Sequence, residues 1–235
     1  MPVVAAAADL QYALTEIAAA FTRSSGRSVR LTFGSSGNFV RQIAQGAPFE
    51  LFFSADEAYV RDLAERRLTV DAGALYAVGR LALFVPNGSP VRADAELNDV
   101  AAALDDGRLK KIAIANPEHA PYGRAARAVL MKKGLWQKVQ GHLVLGENIS
   151  QAAQFAASGS AEAGLLAYSL ASSARMAQAG TQVLLPADWH DPLRQRMVLL
   201  NGAGDTARLF YVYVQSPPAR TLFEKYGFTL PATGH

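Results

Sequence analysis

Four times in 235 residues a strand-like run ends in small or polar residues and at once opens a helical pattern: "AAADLQ", "FGSSGNF", "NPEHAPYGRA" and "GENISQA". Strands that feed helices at their carboxyl ends build open α/β sheets, whose ligands collect beyond those ends. Each helix start leaves N–H groups outside the i→i−4 ladder and carries the positive end of the helix dipole. Several of them at one sheet edge make a site for an anion without any Lys or Arg. The same residues also serve a plainer purpose, because Ser, Asp and Asn are ordinary N-caps. In "FGSSGNF" the small residues favour a ligand, with Gly34 and Gly37 permitting close approach to the backbone beside Ser35 and Ser36. Asn148 and Ser150 read as ordinary caps, and Ile149 between them offers only its N–H.

Around these junctions the pattern is α/β throughout. "PVVAAA" precedes Leu10, Ala13, Leu14, Ile17, Ala18 and Phe21 at helical spacing, which Gly26 closes. A helix near 38–45, a buried strand "FELFFSA", a helix near 56–66 and the run "LYAVGRLALFVP" complete a first group, which "PNGSPV" ends. A second group of alternating elements runs to "AEAGLLAYS" and "TQVLLPAD". "WHDPLRQR" then reads as a polar loop, "MVLLNGA" as a strand, and residues 204–226 as a closing pair of helices. The expected architecture is two α/β lobes, 1–80 with 200–235 and 81–199, each a mixed sheet flanked by helices. Crossover strands near 80–86 and 196–202 would join them, with a ligand cleft between.

Composition narrows the chemistry. Half of the residues are hydrophobic and 18% are charged, as in a globular protein with a filled interior. The net charge of +3 is spread without the dense basic stripe of a nucleic-acid binder. Cysteine is absent, which excludes disulfides, thiolate zinc sites and a cysteine nucleophile. His119, His142, His190 and His235 stand isolated, with no HExxH spacing, so surface or loop roles are expected of them rather than metal ligation. No GxSxG, GxxxxGK[ST] or GxGxxG motif follows a strand, so an enzyme or a resident cofactor is not expected. No apolar run approaches the roughly 20 residues of a membrane span. "MPVVAAAADL" has no charged n-region, and a strand starting at residue 3 suggests a mature chain with its leader removed and a Met added.

Together, "AAADLQYAL", "FGSSGNFVRQIAQGAPFELFFSAD", "NPEHAPYG" and "FEKYGF" resemble the periplasmic molybdate-binding proteins of ABC transporters, nearly from end to end. The resemblance implies a two-lobed periplasmic-binding-protein fold, a Venus flytrap that closes on molybdate or tungstate and presents it to the membrane permease. It also implies a periplasmic location, a monomer and no catalysis. In that family neutral groups hold the oxyanion: hydroxyls and backbone N–H groups from the first lobe, backbone N–H groups from the second, and a tyrosine hydroxyl. Ser36 matches one hydroxyl position, and Tyr122 and Ile149 fall where the second lobe supplies backbone donors.

Two positions depart from the family pattern. Asp9 stands where a Ser or Thr is usual, replacing a donor by a carboxylate that only accepts. It is expected to turn its side chain to cap its own helix and to offer its N–H, with Leu10 the next donor. Ala167 falls at the family's tyrosine, with Tyr168 one residue beyond. A one-residue step in a strand reverses the side chain, so Tyr122 is the alternative source of a phenol. Donor-only lining disfavours phosphate, which keeps a proton at neutral pH, whereas Asp9 would welcome that proton. Phosphate, arsenate or sulfate therefore remain alternative ligands. A phosphate-handling transferase using Asp9 as a base is the alternative of another class. A regulator's effector domain would need a helix-turn-helix segment for which there is no room ahead of residue 3.

Overall fold

The computed structural model describes residues 1–231, so His235 lies outside the described residues. In chain order β1 (Val3–Ala7) passes through a 3-10 turn (Ala8–Leu10) into α1 (Gln11–Ser25), and β2 (Arg30–Gly34) leads into α2 (Ser36–Ala44). β3 (Leu51–Ser54), α3 (Glu57–Glu65) and β4 (Ala74–Gly79) follow. Next come β5 (Leu81–Pro86), α4 (Asn98–Asp105), β6 (Ile112–Ala115), α5 (Pro121–Lys132) and α6 (Trp136–Val139). β7 (Leu143–Gly146), α7 (Ile149–Ala157), β8 (Ala163–Ala167), α8 (Tyr168–Ala171), α9 (Ala174–Ala179) and β9 (Gly180–Leu184) continue the chain. It closes with β10 (Leu193–Leu199), α10 (Asp205–Val214) and α11 (Pro217–Lys225). No described helix is long and apolar enough to cross a membrane.

The chain divides into two compact units, Met1–Gly79 with the segment from Leu193 onward, and Arg80–Pro192. The run "LYAVGRLALFVP" is therefore two strands, parted at Arg80. The first unit holds a sheet of order β2-β1-β3-β10-β4 and the second a sheet of order β7-β6-β8-β5-β9. In the first, β1 runs parallel to β2 and β3, and β10 lies antiparallel to β3 and β4. In the second, β6 runs parallel to β7 and β8, and β5 lies antiparallel to β8 and β9. These are the two mixed, helix-flanked sheets of the periplasmic-binding-protein fold.

Alternation along the strands builds a core on each face of the first sheet. Val4 and Ala6, Leu51 and Phe53, and Met197 and Leu199 face α1, α10 and α11, where they meet Leu14, Ile17, Phe21, Phe210 and Phe223. Ala5, Phe52 and Val198 face the other way, onto Phe39, Ile43, Val60 and Leu63 of α2 and α3. In β10 the structure departs from the sequence expectation, because "LRQR" is strand rather than polar loop. Arg194 and Arg196 reach Glu57 at 2.9 and 3.3 Å, while Gln195 between them is fully buried. Burial alone would raise the Glu57 carboxyl, but the Arg194 hydrogen bond and the charges of Arg194 and Arg61 outweigh it and hold it below its ordinary value.

In the second unit Asp99, in the first turn of α4, collects its own charge network. Its carboxylate accepts from the Arg92 N–H at 2.7 Å and pairs with Arg108 at 3.3 Å and the Arg92 guanidinium at 3.1 Å. The Arg92 amide and then the Arg108 guanidinium, against some loss of hydration, lower its pKa from 3.8 to about 2. A carboxyl lowered on folding stabilises above its unfolded pKa and loses that contribution as pH falls through its folded one. Asp99→Asn is thus expected to melt below the wild type at pH 7, with the gap closing between about pH 4 and pH 2. Thermal melts of both proteins across that range check it.

Candidate functional site

The strands bring the expected residues to their carboxyl edges. In the first unit Ala7 pairs with Gly34 at the ends of β1 and β2, so the turn Ala8–Leu10 and the start of α2 leave the sheet side by side. Ser36, the first residue of α2, is fully buried. Its Oγ accepts the N–H of Ala55, which follows β3, at 3.0 Å. That bond uses one of the hydroxyl's two acceptor positions and leaves its O–H able to donate. Gly34 also serves packing: a Cβ there would lie 3.0 Å from the Phe39 ring.

Asp9 is buried in the 3-10 turn, and Leu10, also buried, is the N-cap position of α1. Neither Ala7 nor Leu10, the residues at the cap positions, makes a side-chain cap bond. The expectation that Asp9 caps its own helix is corrected here, because its Oδ2 instead accepts from Gln195 Nε2 of β10 at 2.6 Å. Gln195 Oε1 in turn accepts from the Tyr76 hydroxyl at 2.7 Å, which also approaches the Ser54 carbonyl at 3.3 Å. Burial, and then the Asp9 charge, push the Tyr76 phenol well above its ordinary pKa, so it remains a donor. Gln195, Tyr76 and Ala55 escaped sequence reasoning, since only the sheet order places them beside Asp9 and Ser36.

In the second unit Ala115 pairs with Gly146, which aligns the ends of β6 and β7. Tyr122 follows Pro121 in the first turn of α5; proline has no N–H, so Tyr122 supplies the helix's first one. Gly123 lets this turn lie on the end of β6, because a Cβ there would come within 2.3 Å of the Ala115 carbonyl. Asn148 caps α7 by accepting from Gln151 N at 3.1 Å, and Gln151 Oε1 accepts from Glu147 N at 2.6 Å. The Ala152 N–H goes to the Asn148 carbonyl at 3.2 Å, so the first N–H of α7 lies ahead of these bonds, at buried Ile149.

Ala167 ends β8, fully buried. Tyr168 opens α8 instead of continuing the strand, so strand alternation does not decide its direction, and its N–H is given to the Arg80 carbonyl at 2.9 Å. His119 is more buried than a surface role implies, with Nε2 3.6 Å from Glu147. His142 and His190 contact backbone carbonyls. Among the described residues no group of three or more His, Asp or Glu could hold a metal ion.

Comparison with known proteins agrees with this geometry. The family described as bacterial extracellular solute-binding protein matches residues 2–229. The chain belongs to that family. Such proteins bind solutes and are not enzymes. The molybdate-binding protein ModA of Rhodobacter capsulatus is 39% identical over 229 residues, covering 96% of this chain and 87% of that protein. ModA of Azotobacter vinelandii is 36% identical over 230 residues, covering 97% and 89%. A solved periplasmic molybdate-binding protein of Azotobacter vinelandii superposes with a TM-score of 0.88 at 29% identity, covering 98% of this chain and all of that one.

For this solute-binding protein the seating of α5 on β6 is open to test. Gly123→Ala should cost about 1–3 kcal/mol through overpacking and lower the melting temperature by several degrees. Gly141→Ala, where an added Cβ meets nothing within 4 Å, is expected to stay within roughly 0.5 kcal/mol. Parallel thermal melts separate the two.

Proposed function

We propose that this protein binds the molybdate dianion, and tungstate with it, and delivers it to the membrane subunits of an ABC transporter. The family description supports a location outside the cytoplasmic membrane, and the molybdate-binding relatives extend over almost the whole chain. The observation that supports the assignment is the buried Ser36 hydroxyl, which accepts the Ala55 N–H and keeps its own O–H to donate. Neutral donors of this kind suit a fully ionised tetrahedral oxyanion and leave the proton of hydrogen phosphate without an acceptor.

In this proposal the ion's ligands are Ser36, the backbone N–H groups of Asp9 and Leu10, and Tyr122 and Ile149, with Ala167 and Tyr168 as further candidates. Tyr122, rather than Tyr168, is assigned the phenol donor. The protein acts as a monomer, to be checked by light scattering. The ion is cargo, and no resident cofactor takes part.

Calorimetric titration with molybdate, tungstate, sulfate and phosphate in parallel tests the assignment. Binding of the first two only is expected, and preference for phosphate or sulfate would replace molybdate by that anion. Ser36→Ala should lose about 1.5–3 kcal/mol of binding, more than tenfold in affinity, since a hydrogen bond to a charged group disappears. Tyr122→Phe should weaken molybdate binding more than Tyr168→Phe; equal affinities would reject the phenol assignment.

A further inference from the structure

We propose that Gln195 and Tyr76 are positioning residues of the anion site. Together they hold the Asp9 carboxylate on β10, so that the turn Ala8–Leu10 offers an anion its backbone N–H groups and not its negative charge. This rests on the oxyanion-binding function proposed above.

A carboxylate beside a dianion site is an electrostatic liability, and here Gln195 hydrogen-bonds it. Gln195 Nε2 stands 2.6 Å from Asp9 Oδ2, and all three side chains are at most 3% exposed. An ionised carboxylate only accepts, so the amide must turn its NH2 toward Asp9. Its Oε1 then faces Tyr76, whose hydroxyl donates at 2.7 Å. The phenol thus fixes which end of the amide meets the carboxylate.

The backbone is shaped for the same purpose. The pairing of β10 with β4 shifts register between Gln195 and Arg196, which leaves Tyr76 of β4 as the extra residue, and bulges re-aim side chains. Arg194 and Arg196 clamp the strand to Glu57 on either side of the bulge, and Arg196 Nη1 also donates to the Gly73 carbonyl at 2.9 Å. A glutamine buried between two arginines contributes nothing to a hydrophobic core, and its burial costs free energy unless it is hydrogen-bonded.

The test is a double-mutant cycle read by molybdate titration. Gln195→Met keeps the bulk but removes the donor, and should weaken binding by about tenfold or more through a carboxylate released toward the anion. In an Asp9→Ala background the same substitution should change affinity by less than about twofold. A merely structural role for Gln195 predicts equal losses in both backgrounds, and that result overturns the proposal, as does wild-type affinity in Gln195→Met. Tyr76→Phe retains the ring packed on Phe53 and Phe223 and serves if Gln195→Met does not fold. It should lose roughly threefold to tenfold, again only while Asp9 is present, and a loss that persists in Asp9→Ala overturns the proposal equally. Absence of molybdate binding by the wild type would remove the functional assignment itself. Wild-type binding with an additive cycle removes only the positioning role.

Discussion

A helix cannot hydrogen-bond its own first turn, and this protein places that deficit wherever a parallel strand ends. At α7 the Asn148 side chain and the Asn148 carbonyl take the N–H groups of Gln151 and Ala152, and the helix's first N–H, at Ile149, lies ahead of both. At α5 proline removes one donor and makes Tyr122 the first. At α2 the N-cap Ser35 makes no side-chain cap bond, and the buried hydroxyl comes from Ser36, one residue later. Three helix starts thus use different local chemistry to the same end: donors gathered close to a strand terminus, where the dipole adds to them.

Strand register makes those termini coincide. Ala7 opposite Gly34 and Ala115 opposite Gly146 put neighbouring parallel strands level at their carboxyl ends in each unit. Both sheets place an antiparallel strand in the fourth position, β10 in one and β5 in the other. An antiparallel strand enters the sheet at the edge where its parallel neighbours leave it. Its first residues therefore join the site from a distant part of the sequence, as Gln195 meets Asp9 across 186 positions.

The same geometry explains what could and could not be read from the sequence. The four junctions were legible because helical periodicity begins directly after a strand run, and Ser36, Tyr122 and Ile149 stand at those beginnings. The first half of β10 was not, because it carries no hydrophobic alternation: Arg194 and Arg196 are held by Glu57, and buried Gln195 is satisfied by Asp9 and Tyr76. The packing role of Gly34 was hidden for a related reason, since the Phe39 ring beside it lies five residues away on the next helix. Tyr168 looked like a strand residue because the apolar run continues through it, whereas the turn into α8 is set by the bond from its N–H to Arg80.

Holding a carboxylate with an amide rather than a cation has consequences for the anion. An Arg or Lys in place of Gln195 would pair Asp9 more strongly, but both charges would have to be stripped of water, and the attraction often fails to repay that cost. A cation would also draw any anion into the site, since a point charge attracts over a long range and with little regard to direction. Gln195 answers the carboxylate with a directed hydrogen bond and no net charge. A directed hydrogen bond of this kind decays faster with distance than a point charge and depends on orientation. On the proposed function, discrimination among tetrahedral oxyanions would rest on bond length and donor position, which the sheet edges set, and not on charge, which those ions share.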